Sequence, residues 1–159
     1  MASNVPVVKQ VAWIAVIPQT IVLFLIGWIC YLCGATNPVF PAAATYFLLG
    51  YILRNTVAKD HKKGMEHVKK QDYAGAITAF EASYKFFSDN LWLDKYRYVT
   101  LLNASSMSYR EMALCNIEFC YTQMGEGKKA AIYYRRVLDL SPENGIAQAG
   151  LNVLESAYK

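Results

Sequence analysis

Apolar positions are spread very unevenly along this chain. From Val11 to Cys33, the sequence VAWIAVIPQTIVLFLIGWICYLC runs for 23 residues without a charged side chain. A helix of about 20 apolar residues crosses a hydrocarbon core of about 30 Å, and aromatic rings near both ends of the stretch suit the membrane interface. We therefore predict a membrane span over residues 11–33. The alternative is a cleaved signal peptide, whose apolar region is typically shorter, about 7 to 15 residues.

A second apolar stretch follows a predicted turn. Residues 34–41, GATNPVFP, combine Gly, Asn and Pro, which break helices. The next residues, AAATYFLLGYIL, favour a short second span over residues 42–54, with the Arg54 side chain reaching the interface. A helix that lies in the interface or re-enters the bilayer is the alternative. Both flanks are basic and the turn carries no charge, so residues 1–55 predict a hairpin anchor with both termini in the cytoplasm.

The charges lie almost entirely behind this anchor. Of the 16 basic and 12 acidic side chains, all but Lys9 fall within residues 54–159, and the net charge of +4 arises in residues 54–70. A basic collar directly after an apolar segment suits anionic headgroups. Its predicted members are Arg54, Lys59, Lys62 and Lys63. Nucleic acid would require a basic face on the folded module, so we do not expect it as a partner.

Beyond residue 56 the apolar positions follow helical spacing, and the pattern occurs twice. QDYAGAITAFEASYKFFSDN, residues 71–90, aligns with GEGKKAAIYYRRVLDLSPEN, residues 125–144. The alignment pairs Ala76 with Ala130 and Phe80 with Tyr134. Such internal similarity indicates stacked helical hairpins, in which small residues allow close approach and aromatic residues fill the remaining gap.

This pattern resembles the tetratricopeptide repeat (TPR), a helix-turn-helix unit of about 34 residues. Residues 111–144 match it well and depart at Glu118 and Gly127. The matching positions of this copy are Leu114, Ile117, Tyr121, Gly125, Ala130, Tyr134 and Pro142. Residues 57–90 keep Gly64, Tyr73, Ala76 and Phe80, but have Asp60, Lys63 and Ser88 where Trp, Leu and Pro are usual. The resemblance implies an all-α chain, in which a transmembrane helical hairpin precedes a short TPR-like solenoid over residues 56–159.

Two segments lie outside the repeats. Residues 91–110 form an insert, which predicts a helical segment, a loop, and a capping box made by Ser108 and Glu111. The aromatic residues of the insert either fill gaps between the two hairpins or form a specialised binding patch. Residues 145–159 predict the terminal capping helix that repeat arrays need for solubility.

The resemblance also implies a protein-binding surface, formed mainly by the first helix of each hairpin. By position, the candidate contacts are His61, Met65, Val68, Lys69, Cys115, Asn116, Phe119 and Gln123. For each of them, simple packing or solvation is the alternative. Because His61 and Met65 stand where Lys and Asn would be needed and a third repeat is absent, we do not predict a clamp for chaperone C-termini.

We find no catalytic, cofactor-binding or metal-binding pattern. Cys30 and Cys33 form a C-x-x-C spacing, but no Cys or His follows in the turn to complete a zinc site. His61 and His67 fall on different helix faces. We therefore expect no enzyme activity and no cofactor.

The sequence thus predicts an integral membrane protein whose cytoplasmic TPR domain binds a protein or peptide as an adaptor or scaffold at the membrane surface. The alternative is a structural accessory subunit of a membrane complex, and a third interpretation places the repeat domain outside the cell. Two repeats are fewer than the three or so that usually form a stable array. The insert, the capping helix, a neighbouring protein or a second copy of the chain would have to complete the core.

Overall fold

The computed structural model describes residues 11–157, and this part of the chain is helical without strands. A short 3-10 turn, Trp13–Ala15, leads into the first helix. The helices are α1 (Val16–Leu32), α2 (Val39–Thr56), α3 (Lys59–Lys69), α4 (Tyr73–Asp89), α5 (Leu91–Lys95), α6 (Arg97–Thr100), α7 (Tyr109–Gln123), α8 (Gly127–Leu140) and α9 (Gly145–Ala157). The prediction of an all-α chain is confirmed.

The chain divides into two compact units. The first, here called the anchor unit, contains the described residues up to Arg54 together with Tyr96–Met107. The second, here called the helical domain, contains Asn55–Lys95 and the described residues from Ser108 onward. The predicted insert is therefore shared: α5 belongs to the helical domain, whereas α6 and the loop behind it belong to the anchor unit.

The anchor unit contains one helical stretch that is long and apolar enough to cross a membrane. Trp13–Leu32 spans 20 residues with a mean hydropathy of 2.1, and only 6% of its most apolar window is buried. A signal sequence near an N-terminus, or the core helix of a soluble protein, can meet the same criterion of length and composition. Among the described residues no other helix meets this criterion. The second span over α2 remains a prediction, although α2 also exposes Phe40 and Phe47.

Tyr96–Met107 packs at the start of α1 and near the end of α2. Val11 pairs with Ser105 in an isolated antiparallel bridge, and the Ala12 amide donates to the Ala104 carbonyl at 2.9 Å. Near the end of α2, a β-carbon placed on Gly50 would lie 3.7 Å from the buried Leu102 side chain, so this part of α2 is close to the same segment. The first residues of α1 and the last turns of α2 thus meet the same segment.

Arg97 holds this segment in its compact form. Its guanidinium donates to the Ser105 carbonyl at 3.1 Å and to the Ser106 carbonyl at 2.6 Å. Charge-assisted bonds of this kind are stronger than bonds between neutral groups. The neighbouring Leu101 is fully buried. Arg97 therefore supplies hydrogen-bond donors to two carbonyls of the loop behind α6.

The helical domain contains two helix pairs, the short helix α5 and a final helix. α3 pairs with α4, α7 pairs with α8, α4 packs against α7, and α9 packs on α8. The two small positions that align in the sequence, Ala76 and Ala130, are both fully buried. Around Ala130 the core is formed by Leu114, Tyr134, Val137 and Ala147.

Side chains fix where these helices begin. Ser108 and Glu111 form the predicted capping box at the start of α7, since the Glu111 amide donates to the Ser108 hydroxyl at 3.2 Å and the Ser108 amide to the Glu111 carboxylate. Asp72 caps α4 by accepting from the Gly75 amide, and Asn144 caps α9 by accepting from the Ala147 amide. Each cap satisfies a backbone donor that lacks a partner within its helix.

The first helix pair closes over a glycine. Phe80 on α4 is fully buried, and its ring lies so close to Gly64 on α3 that a β-carbon there would be 2.5 Å from the ring. Only glycine leaves this space free. Gly64 therefore sets how closely α3 and α4 approach each other.

We expect Gly64→Ala to lower the free energy of unfolding by about 1–2 kcal/mol, because overpacking at the Phe80 ring outweighs the gain in helix propensity. Urea denaturation of the full chain in detergent, followed by circular dichroism, measures this. Gly145→Ala is the matched control, since no atom lies within 4 Å of its β-carbon position. Equal stabilities of the two variants would contradict the close contact.

Candidate protein-interaction site

The candidate residues on α3 differ sharply in exposure. His61 lies between two aromatic rings, with ring centroids 5.3 Å from Phe80 and 5.4 Å from Tyr109. Its Nδ1 atom is buried and has no hydrogen-bond partner in the described structure. Burial lowers the pKa of His61 to about 4, so the imidazole is neutral at physiological pH. His61 is a packing residue in this structure, because Tyr109 at the start of α7 covers it.

The other α3 candidates lie along the same helix. Val68 is buried, Met65 is half-buried, and Lys69 is exposed. The side chain of Val68 faces the interior of the helical domain and is not available to a partner. Met65 and Lys69 retain accessible surface.

The candidates on α7 show the same division. Phe119 is buried at 9% exposure, and its ring meets that of Tyr73 edge-on at 6.4 Å. Cys115 is half-buried beside the Asn144 amide, whose nitrogen lies 3.9 Å from the sulfur. Burial raises the pKa of the Cys115 thiol to about 12, so it stays protonated. Asn116 is half-buried and Gln123 is exposed.

The eight candidates therefore do not form one exposed surface. His61, Val68 and Phe119 are held in the packing of the helix pairs, and Cys115 is partly enclosed there. Lys69 and Gln123 are the fully exposed members, with Met65 and Asn116 partly accessible. The helical spacing of apolar residues could not predict which candidates are buried, because the aromatic rings that cover His61 and Phe119 come from residues distant in the sequence.

All four predicted collar residues are exposed. Arg54 folds back along its own helix and donates to the Gly50 carbonyl at 3.1 Å. Lys62 donates to the Asn55 side chain at 2.6 Å, and Lys63 lies 3.8 Å from the Asp60 carboxylate. Their exposed ammonium and guanidinium groups can still reach anionic groups in solution.

One buried acid had no role in the sequence analysis. Glu118 on α7 is 4% exposed and stands at the repeat position that Gly64 occupies in the first helix pair. It accepts a hydrogen bond from the Tyr134 hydroxyl, while its Oε2 atom has no partner in the described structure. Burial raises the pKa of Glu118 to about 7, an effect that outweighs the hydrogen bond from Tyr134. In the sequence, Glu118 is marked only as a departure from the repeat pattern, which has a small residue at this position.

The second helix pair has Glu118 where the first has Gly64, and the aromatic ring of Tyr134 packs against α9 instead of α7. The Tyr134 ring contacts Gly150 on α9 so closely that it occupies the space a β-carbon would take. α7, α8 and α9 are thus joined by Glu118, Tyr134 and Gly150. The structure places this cluster inside the domain, where it serves packing.

A second feature that the sequence analysis missed lies on the surface of the domain. The Arg136 guanidinium lies over the rings of Tyr84 and Tyr133, 5.1 Å from each centroid. The ring centroids of Tyr133 and Tyr121 are 5.4 Å apart, and the Lys129 ammonium lies 5.4 Å from the centroid of the Tyr121 ring. The residues come from α4, α7 and α8, so no single stretch of sequence reveals the arrangement.

Metal ligation and disulfide bonding each require particular side chains to lie close together. No three His, Cys, Asp or Glu side chains within residues 11–157 are grouped so that they could hold a metal ion. All four cysteines are free.

Comparison of this chain with protein-family models, with curated proteins and with solved structures gives no match.

Proposed function

We propose that this chain is a membrane-anchored protein of the TPR type that mediates protein–protein interaction at the membrane surface. The observation that carries the proposal is the joining of an exposed apolar helix to a domain of packed helix pairs. Trp13–Leu32 is apolar along its length and almost entirely unburied.

The geometry of the helix pairs supports the TPR assignment. α3 with α4 and α7 with α8 follow one another as helix-turn-helix units. The aligned alanines are fully buried, and Phe80 packs on Gly64 as a large residue on a small one. α9 covers α8 as a capping helix would. These are the packing relations that the repeat pattern predicts.

A hairpin anchor is supported by the contacts of Tyr96–Met107. That segment meets Val11 and Ala12 before α1 and Gly50 in the last turns of α2. Because one segment contacts both, the start of α1 and the end of α2 lie at the same end of the anchor unit. An antiparallel pair of spans has this arrangement, with both flanks on one side of the bilayer and the turn on the other.

A second candidate function is a structural subunit of a membrane complex. The observation that favours it is an open apolar groove of about 490 Å³ between α1 and α2. Its lining residues are Leu23, Phe24, Gly27, Trp28, Tyr31, Pro38, Val39, Ala42 and Ala43. Such a groove would accept an apolar helix of a neighbouring protein, with small residues allowing close approach.

Purification in mild detergent distinguishes the two functions. An adaptor is expected to resist alkaline carbonate extraction from membranes, and then to remain monodisperse and unfold cooperatively when purified alone. An obligate subunit would aggregate without its neighbours. Release from membranes by carbonate would contradict both forms of the proposal.

A further inference from the structure

The surface arrangement around Arg136 holds a cation in a fixed orientation. Its guanidinium lies over Tyr84 from α4 and Tyr133 from its own helix. The Tyr133 hydroxyl donates to the Glu81 carboxylate at 2.9 Å, which ties the ring to α4. Burial and this hydrogen bond raise the pKa of Tyr133 to about 12, so the hydroxyl remains a donor. The two rings and the Glu81 bond thus restrict the movement of the guanidinium.

Ion pairing divides the cations of α8 into two groups. Lys129 pairs with Glu126 at 2.5 Å, and Arg135 pairs with Glu155 at 3.2 Å. Lys128 and Arg136 have no acidic side chain within ion-pair distance in residues 11–157. Both are exposed. Their charges are available to groups outside the domain.

These two cations flank an exposed apolar side chain. Lys128, Ile132 and Arg136 follow at intervals of four residues and therefore lie along one face of α8. Ile132 is 54% exposed. At about 1.5 Å per residue, the backbone positions of the two cationic residues are roughly 12 Å apart along the helix, with that of Ile132 midway. We call these three residues the α8 row.

We propose that the α8 row is a docking site for an acidic segment of a partner protein, one that presents a carboxylate, an apolar side chain and a second carboxylate in line. The inference rests on the proposed function and names the surface and the partner chemistry. An arginine fork can bond a carboxylate with two parallel hydrogen bonds. Since the rings already hold the guanidinium, less side-chain freedom is lost on binding.

The charge distribution favours a protein over a lipid surface. Helices that adsorb to anionic membranes typically present clusters of about 4 to 8 basic residues. On α8, two of the four basic side chains are neutralised by Glu126 and Glu155. Two cations without an ion-pair partner in the described residues, placed around one apolar side chain, match a short acidic motif better than an extended lipid surface. A helical motif with Glu, Leu and Glu at intervals of four residues has the required spacing.

The test uses the full chain in nanodiscs of neutral lipid and a synthetic alanine-based helical peptide carrying that Glu, Leu and Glu pattern. A scrambled peptide of the same composition is the peptide control. Fluorescence anisotropy is expected to show that Arg136→Gln weakens binding of the patterned peptide about tenfold. Arg135→Gln, which removes the same charge from a paired neighbour, is expected to change it by less than about twofold.

The inference is overturned if the native chain does not bind the patterned peptide, if both peptides bind equally, or if both variants weaken binding equally. A second measurement is hydrogen exchange of α8 in the absence of peptide. The inference is also overturned if α8 is protected in nanodiscs that contain phosphatidylserine but not in nanodiscs of neutral lipid, because this would indicate a lipid contact. Carbonate extraction tests membrane anchoring separately. A failure of the proposed function is therefore distinguishable from a failure of the α8 row.

Discussion

Asp94→Ala is expected to lower the free energy of unfolding of the helical domain by about 3 kcal/mol. Asp94 on α5 is only 2% exposed and caps the start of α7 from outside that helix. Its carboxylate accepts from the Tyr109 amide at 2.7 Å and the Arg110 amide at 3.2 Å, and the Arg110 side chain lies 3.4 Å away. Alanine would leave buried backbone donors without these acceptors.

Asp94→Asn is expected to lose less, about 1–2 kcal/mol, because one oxygen remains as an acceptor while the amide nitrogen faces a backbone donor. Asp89→Ala is the matched control, since Asp89 is exposed at the end of α4. Urea denaturation of the full chain in detergent measures all three variants. A loss for Asp94→Ala no greater than that of the control would show that Asp94 does not hold α7.

We expect the free energy of unfolding of Glu118→Gln, minus that of the native chain, to increase as the pH rises. In the folded domain the pKa of Glu118 is about 7, compared with 4.5 for an ordinary glutamate. The protonated form is therefore favoured by folding, and this stabilisation is complete below the ordinary pKa and lost as the pH rises through about 7. A difference of about 2.5 between the two pKa values corresponds to about 3 kcal/mol.

His61 contributes a pH dependence of opposite sign. Its pKa falls from 6.5 to about 4 on folding, so its contribution is present above the ordinary value and lost as the pH falls through about 4. Between about pH 4.5 and 6.5 the two effects oppose each other, and the native chain should change little in stability. Removing Glu118 leaves the His61 dependence alone.

The measurement is urea denaturation of the native chain and Glu118→Gln in detergent at about pH 4.5 and about pH 7.5. The stability of the variant minus that of the native chain should increase by about 3 kcal/mol between these values. Glu143→Gln, at an exposed position, controls for the loss of a carboxylate and should give no such increase. A pH-independent difference for Glu118→Gln would mean that folding does not raise the pKa of this carboxylate.

Local signals in the sequence predicted much of the helical domain. The capping box of Ser108 and Glu111 gave the start of α7, and the structure has both of its hydrogen bonds. The aligned alanines are both fully buried. The capping box joins residues three positions apart, which a helix brings together on its own, whereas the alanines were marked by the internal repeat.

Features that depend on distant residues could not be predicted. His61 packs against Tyr109, which is 48 positions away in the sequence, so its packing role was not visible in the local pattern. Asp94, near the start of the insert, accepts a hydrogen bond from the amide of Tyr109, which is 15 positions later in the sequence. The division of the insert between two units also arises from long-range contacts, made by Arg97 and by the pairing of Val11 with Ser105.

Glu118 shows a different limit of sequence reasoning. The repeat pattern marked it as a departure, but gave no account of how the domain accommodates it. The structure supplies that account, because Tyr134 donates to the carboxylate and its ring packs on Gly150 instead of on a residue of α7. Compensation of this kind involves three helices and has no periodic signature.

The hairpin anchor is tested most directly by cysteine labelling of intact cells with a membrane-impermeant maleimide. Cys30 and Cys33 are replaced by alanine, while Cys115 and Cys120 stay, because burial raises the pKa of both thiols to about 12 and suppresses their reactivity. Single cysteines are then introduced as Thr36→Cys in the turn and Asn152→Cys on α9, both at exposed positions. We expect Thr36→Cys to label from outside and Asn152→Cys to label only after permeabilisation. Labelling of both positions from the same side would contradict the hairpin.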